Sequence, residues 1–309
     1  MTSSAERALL ILADDHRDSL EKELYKLTAP ATPAQAARIA ADKLLVYQAL
    51  LEAADRLPSS AQAGILVDEQ YGADVAELAA HSQGLVNLSM PLEASGKEWL
   101  ELEYRDEWKR HAEFFGADHA KVLIRDNPQL SMDDRRQQAE RLGEVSVWAA
   151  QGGHKLIIEL LVPATENDLK SVGGDKKRYD DELRPRLTLE VIRYLQDHGA
   201  DPVLWKVEGM DTAKDAAAVA DLVRRDDRKA DCIVLGRHAS KEDLDRWLEV
   251  AAPLPGYVGF AIGRSIWWDA LGDLLAEKIG PDEARERITA TYLGFADAFL
   301  AARGDATVR

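Results

Sequence analysis

Eight short apolar runs, each closed by polar or charged residues, punctuate the 309-residue chain: 8–14, 64–68, 85–89, 120–125, 155–162, 203–208, 231–236 and 257–263. Each is about strand length and is flanked by turn-forming or charged residues. Segments with helical spacing lie between them, among them 32–54, 98–115, 132–151, 187–198, 212–225 and 282–302. Pro33 sits where a first helical turn accepts proline, and Gly199 after His198 marks a helix stop. Alternation of this kind predicts an α/β fold with parallel strands joined by helical crossovers. Eight such units close naturally into a single (β/α)8 TIM barrel, so residues 1–309 are expected to form one domain. An open doubly wound sheet would call for a glycine-rich phosphate turn after the first strand. Asp14-Asp15-His16-Arg17 stands there instead.

Composition narrows the partners. Hydrophobic residues make up 46% of the chain, enough for a sizeable core. Lys plus Arg total 39 against 55 Asp plus Glu, a net charge of -16. That balance disfavours a general nucleic-acid binder and attraction to an anionic membrane surface. It leaves room for a local basic pocket that takes a small anion. The single cysteine, Cys232, excludes a disulfide within the chain and a cysteine-based zinc site, and it suits a reducing cytoplasm. The first apolar run is stopped by Asp14 and Asp15, too early for a signal peptide or a membrane span. A cytoplasmic protein with a small-molecule ligand is the expectation. A homo-oligomer is compatible with apolar faces on the outer helices.

In a barrel, chemistry sits at the C-terminal ends of the strands, so polar residues there carry the information. Lys206 interrupts Val203-Leu204-Trp205-Lys206-Val207-Glu208. Burial disfavours an ammonium, and a second cation nearby favours the free amine, which attacks carbonyls. The competing reading is a snorkelling lysine or a buried ion pair. Glu159 interrupts an equally apolar run and needs a partner; it reads as a salt-bridge mate or as a proton shuttle with a raised pKa. Lys121 heads Lys121-Val122-Leu123-Ile124-Arg125, where a solvated flank is the ordinary reading. Asp14, Asp15, His16 and Arg17 end the first strand and Asp68-Glu69 the second; either set can serve a site or cap a helix. Gly236-Arg237 and Gly263-Arg264 end the last two runs, where barrels often hold phosphate on glycine-lined backbone, a helix start and an arginine clamp. The stretch 163–186, with Gly173-Gly174 and then Asp175-Lys176-Lys177-Arg178, reads as a long loop, either a lid or a solvated insertion. No metalloprotease helix, nucleophile elbow or Walker loop is present, and the seven tryptophans read as core packing.

Several phrases occur together in a consistent order: Ala13-Asp14-Asp15-His16-Arg17, Leu66-Val67-Asp68-Glu69-Gln70-Tyr71-Gly72, Ile158-Glu159, Leu204-Trp205-Lys206-Val207-Glu208 and Gly259-Phe260-Ala261-Ile262-Gly263-Arg264-Ser265-Ile266-Trp267. From the first strand to the eighth, the chain resembles the class I aldolases of the tagatose-bisphosphate aldolase type. It is most similar to the aldolase-like domain fused behind a sugar kinase in bacterial inositol catabolism, a domain associated with cleavage of 2-deoxy-5-keto-gluconate 6-phosphate. The resemblance covers that unit alone.

It implies a TIM barrel and a Schiff-base mechanism with no metal and no cofactor. It places the imine-forming amine on Lys206, the acid/base carboxylate on Glu159, a supporting lysine on Lys121 and a polar substrate-site acid on Asp15. It suggests phosphate binding by Gly263 and Arg264. The turn Gly236-Arg237-His238 departs from the small Ser-Ala-Gly-like turn of the tagatose type. With Arg17 and Asp68 these residues make up the expected substrate site, a basic mouth for a sugar phosphate. Two other classes stay open on the sequence: a metal-dependent barrel isomerase or epimerase using Asp15, Asp68 and Glu208, and a non-catalytic sugar-phosphate binder.

Overall fold

The computed structural model describes residues 7–237 and 239–308, so His238 of the seventh-strand turn lies outside the described residues. Eight parallel strands close in chain order into one barrel: β1 (Ala8–Asp14), β2 (Ala61–Val67), β3 (Val86–Pro91), β4 (His119–Arg125), β5 (Lys155–Leu161), β6 (Leu204–Glu208), β7 (Asp231–Leu235) and β8 (Tyr257–Ile262). The helices around it are α1 (Pro33–Ala54), α2 (Glu69–Ala80), α3 (Trp108–Phe114), α4 (Met132–Gly152), α5 (Glu166–Ser171), α6 (Lys176–Arg178), α7 (Arg184–Asp197), α8 (Ala213–Val223), α9 (Lys241–Ala251), α10 (Arg264–Leu275) and α11 (Pro281–Arg303). This is a single (β/α)8 TIM barrel, as the strand–helix alternation predicts.

Local chemistry sets the boundaries. Thr32 and Gln35 form a reciprocal capping box ahead of α1, with Pro33 in the first turn. The Asp68 carboxylate accepts from the Tyr71 amide and starts α2. Gly153 and Gly304 end α4 and α11 in the left-handed conformation that glycine tolerates best.

Strand alternation divides the residues between two layers. Ile11, Ala13, Leu66, Ile157, Leu204, Ile233 and Ala261 pack together inside the barrel. Their neighbours along the strands, such as Leu10, Leu12, Ile158, Trp205, Val207, Cys232 and Val234, face the helices and join the larger core. Cys232 is fully buried in β7, in keeping with a core role.

Three expectations need correction. The 98–115 segment is helical only over Trp108–Phe114, preceded by one tight turn at Arg105–Glu107. Before it the chain folds back, with Glu93 and Leu102 bridged antiparallel, and this hairpin leans over the mouth. Trp99 lies in it and lines the cavity instead of packing in a helix. The 163–186 stretch is no open loop: α5, α6 and a wide helical turn at Tyr179–Leu183 run into α7, which begins at Arg184, three residues before the expected start. Two of its basic residues are spent locally, Lys177 on Asp181 at 2.9 Å and Arg178 on Glu182 at 2.8 Å. The second strand begins at Ala61, with Gly64 inside it, because Ile11 packs where a side chain would stand.

The barrel closes between β1 and β8, where Leu9 pairs with Gly259. A Cβ at 259 would drive into the Leu9 carbonyl, which is backbone and cannot swing away. Gly259→Ala is therefore expected to cost about 3 kcal/mol or more, at or above the upper end of the range for overpacked cores. Urea unfolding of the variant beside the parent checks this.

Candidate active site

At the C-terminal ends of the strands a cavity of about 330 Å³ opens, within the size range of small-molecule sites. Its floor is ionic. Lys206 on β6 and Lys121 on β4 are 4% and 1% exposed, and both reach Glu159 on β5. Lys206 Nζ lies 2.8 Å from Glu159 Oε1, and Lys121 Nζ lies 2.9 Å from Oε2. Lys121 also binds Asp15 Oδ2 and Glu93 Oε1, each at 2.7 Å. Two ammonium groups thus meet three carboxylates inside the barrel.

The fold explains the convergence. Glu159 and Lys206 are register partners on adjacent strands, and Leu123 partners Glu159 from the other side. Lys121 is no solvated flank: its side chain points inward two residues below Leu123 and is fully enclosed. Burial works against ionisation of Glu159, but Lys121 and Lys206 overcome it and hold the carboxyl below its ordinary pKa. Of the two readings open on the sequence, the salt-bridge mate holds and the raised pKa does not. Asp15 behaves likewise: burial opposes its charge, and Lys121 and then Lys206 hold it ionised. For Lys121, burial is outweighed by Asp15, Glu159 and Glu93, which keep it strongly protonated.

The first loop is shared between two layers. Asp15, His16 and Arg17 line the cavity, whereas Asp14 turns into the helix layer. There Lys43 of α1 binds the Asp14 and His16 carbonyls, with Asp14 Oδ1 at 3.3 Å and Asp68 Oδ1 at 2.8 Å. Burial pushes the Asp14 carboxyl up to about 7 in spite of Lys43. Arg17 is braced by Glu103 at 3.0 Å and the Glu93 carbonyl at 2.7 Å.

The β8 end completes the wall. Gly263, Arg264 and Ser265 line the cavity at the start of α10, where helix amides and dipole favour negative charge. A side chain at 263 would meet the Ala13 carbonyl and His16 Cε1. Arg264 is held only loosely, 3.7 Å from Glu23. The β7 end differs. Gly236 lines the cavity, but Arg237 spends its guanidinium on Asp180 at 2.6 Å and Glu208 at 2.7 Å.

The expected site residues therefore separate. Lys206, Glu159, Lys121, Asp15, Arg17, Gly236, Arg237, Gly263 and Arg264 line one cavity, while Asp68 is fully buried behind it as a helix cap and lysine partner. The three carboxylates a metal isomerase would use do not converge: Asp15 is on Lys121, Asp68 on Lys43, and Glu208 on Arg237 and the Val162 amide. Among the described residues no group of three His, Cys, Asp or Glu side chains could hold a metal ion. Sequence reasoning missed Glu93, which lies past the apolar run of the third strand, and Lys43, which reads as an ordinary helix lysine.

A TIM barrel with a lysine–carboxylate floor and a glycine-led helix start at its mouth defines the class of architecture. The chain belongs to the family described as uncharacterized protein conserved in bacteria (DUF2090), whose model matches residues 1–303. No curated protein matches it. Among solved structures, it is similar to fructose-bisphosphate aldolase from Plasmodium falciparum, with 14% identity, 98% of this chain and 92% of that one covered, and a TM-score of 0.61. An archaeal fructose-1,6-bisphosphate aldolase, with its catalytic lysine covalently bound to the carbinolamine intermediate, gives 16% identity, coverage of 94% and 96%, and a TM-score of 0.52. A structural-genomics protein from Corynebacterium glutamicum gives 15% identity, coverage of 93% and 86%, and a TM-score of 0.56. At these identities the likeness is one of fold. Among the described residues no helix is long and apolar enough to cross a membrane.

His16 is pushed down to about 3, chiefly by burial and then by Arg264, Lys43 and Lys206, with Asp15 opposing. Between about pH 6.5 and pH 3 the unfolded chain binds a proton there that the native protein does not, so stability falls as pH drops through that window. His119, pushed down to about 4, acts in the same sense, and Asp14, pushed up to about 7, in the opposite one. His16→Gln is expected to flatten the acid-side loss relative to the parent without abolishing it. Urea midpoints measured from about pH 7 to pH 4 read this out, and an unchanged pH slope would contradict it.

Proposed function

We propose that this chain is a class I aldolase, a carbon–carbon lyase that cleaves a phosphorylated keto sugar or keto sugar acid through a Schiff base on Lys206. The observation that carries the reading is the Lys206–Glu159 pair, 2.8 Å apart on the floor of the cavity that Gly263 and Arg264 border. The archaeal neighbour bears its covalent intermediate on a lysine, and the ordered motifs of the sequence point the same way.

Glu159, held as a carboxylate, accepts a proton from Lys206, and the free amine adds to the ketone carbon. Proton return from Glu159 lets the carbinolamine lose water and become an iminium. A base then removes the proton from the hydroxyl on the far side of the bond to be broken. Asp15, also held ionised, and Glu159 both lie within this cluster. The carbon–carbon bond breaks, its electron pair enters the iminium to give an enamine, and an aldehyde leaves. Protonation of the enamine carbon and hydrolysis release the second product and the lysine. Lys121 favours the charged form of both carboxylates, so that Glu159 readily returns the proton it takes up, while Gly263, Arg264 and the α10 amides hold the phosphate. For 2-deoxy-5-keto-gluconate 6-phosphate, the substrate suggested by the motif resemblance, the products are dihydroxyacetone phosphate and malonate semialdehyde. We place this activity in the cytoplasm, on one domain of 1–309.

The test is trapping. Incubation with dihydroxyacetone phosphate or the keto sugar acid phosphate, reduction with borohydride and peptide mapping should find the adduct on Lys206. Lys206→Ala, folded by circular dichroism, should lose adduct and turnover together. Glu159→Gln should lower kcat by about 10²–10⁴-fold, the usual share of a proton-transfer group. Turnover that persists in Lys206→Ala, or that vanishes on chelation with no adduct formed, would refute the reading.

A further inference from the structure

We propose that Lys43, on α1 outside the barrel, is a positioning residue for the reaction: its ammonium group holds the carbonyls on either side of Asp15 and so fixes where that carboxylate stands in the cavity. The proposal deepens the aldolase reading and rests on it for the work that Asp15 does there.

The sheet does not hold Asp15 in place. Pairing of β1 with β8 runs out at Leu12 and Ile262, and pairing with β2 at Asp14 and Val67. Backbone groups past the end of a ladder still need partners, and here side chains supply them. The Trp267 indole donates to the Ala13 carbonyl at 3.0 Å. Lys43 Nζ donates to the Asp14 carbonyl and, at 3.2 Å, to the His16 carbonyl. One ammonium thus brackets the residue between them. From the barrel side, Lys121 Nζ meets Asp15 Oδ2 at 2.7 Å.

Donor counting shows which contacts of Lys43 matter. An ammonium has three N–H bonds. Four oxygens crowd Lys43 Nζ: the two carbonyls, Asp14 Oδ1 at 3.3 Å and Asp68 Oδ1 at 2.8 Å. The Asp14 carboxyl contact is the longest of the four, and Asp14 Oδ2 has no hydrogen-bond partner among the described residues. All three side chains are at most 2% exposed, so solvent does not make up the difference. The carboxyl served least is the one that burial pushes up to about 7. Burial works against the charge on Lys43 as well, but Asp14 and Asp68 outweigh it and hold the ammonium above its ordinary pKa. Its three donors are therefore kept for the backbone around Asp15 and for the acids beside it.

Lys43 is no part of the cavity lining, so a change there reaches the site only through the end of β1. A shift of about 1 Å in a reacting group costs about 10²-fold in rate. Imine formation uses Lys206 and Glu159, which are register partners on β6 and β5 and owe nothing to Lys43. Loss of the ammonium should therefore separate adduct formation from turnover, which a general weakening of the fold does not do.

Lys43→Met keeps the stem and removes the ammonium. Saturating dihydroxyacetone phosphate and borohydride should still give the Lys206 adduct, while kcat for the keto sugar acid phosphate falls about 10²-fold. A crystal structure of the variant should show Asp15 moved off Lys121. If two stranded carboxylates prevent folding, Lys43→Met combined with Asp14→Asn and Asp68→Asn leaves an uncharged set and should show the same separation. Asp14→Asn alone keeps the ammonium on both carbonyls, and its kcat should stay close to that of the parent. Asp15 unmoved in the lysine variants, or adduct and turnover reduced by the same factor in folded protein, would overturn the positioning role. So would a loss in Asp14→Asn as large as that in Lys43→Met. Asp15 displaced in Lys43→Met, with a parent protein that forms no Lys206 adduct, would overturn the aldolase chemistry and leave the placement of Asp15 by Lys43 standing.

Discussion

One carboxylate shared by two enclosed lysines organises the mouth of this barrel. Charges removed from water are costly unless each finds a partner, and removing one member of such a set leaves the others stranded. Glu159 satisfies Lys206 with one oxygen and Lys121 with the other, and Lys121 in turn draws Asp15 and Glu93 inward from β1 and beyond β3. Side chains from five places around the ring are thereby tied to one floor. A hydrophobic floor would satisfy packing equally well, but it would offer neither an amine nor a proton acceptor beside it.

The first strand extends this order outward. Asp14 and Asp15 are adjacent in sequence and face opposite layers, so the strand end is gripped from both sides. Lys121 holds Asp15 within the barrel, and Lys43 holds Asp14 and the flanking carbonyls from α1. Asp68 joins the outer cluster while capping α2, which ties the second strand end to the first. The loop carrying His16 and Arg17 into the cavity is therefore fixed by ionic contacts on two sides. The Trp267 indole adds a bond to the Ala13 carbonyl from the α10 side.

The charge distribution is subtler than a basic mouth on an acidic protein. The chain carries -16 overall, and its interior cluster is itself rich in carboxylate. Among the described residues that line the cavity, the positive charge least tied to carboxylates lies at the rims, loosely paired at Arg264 and on the Lys97 carbonyl at Arg125. Arg237, one of the cations expected to greet a ligand, instead links Glu208 to Asp180 and braces the β6 and β7 ends against the Tyr179–Leu183 turn.

Period-two burial, capping residues and strand-length runs made the eight-stranded barrel legible in the sequence, because these signals act within a few residues. The strand-end positions of Lys206, Glu159, Asp15 and Gly263 were legible for the same reason. What each side chain meets was decided by closure of the ring. Lys121 looked like a solvated flank until β3, β4 and β5 stood side by side. Asp68 looked like a ligand-facing acid until α1 brought Lys43 against it. The direction of the Glu159 shift turned on two lysines, 38 residues before it and 47 after it in the chain. Local pattern sets which residues lie at the top of a strand. Only tertiary contact decides the partner, because the Coulomb energy of a buried charge depends on distances of a few ångströms that sequence separation does not encode.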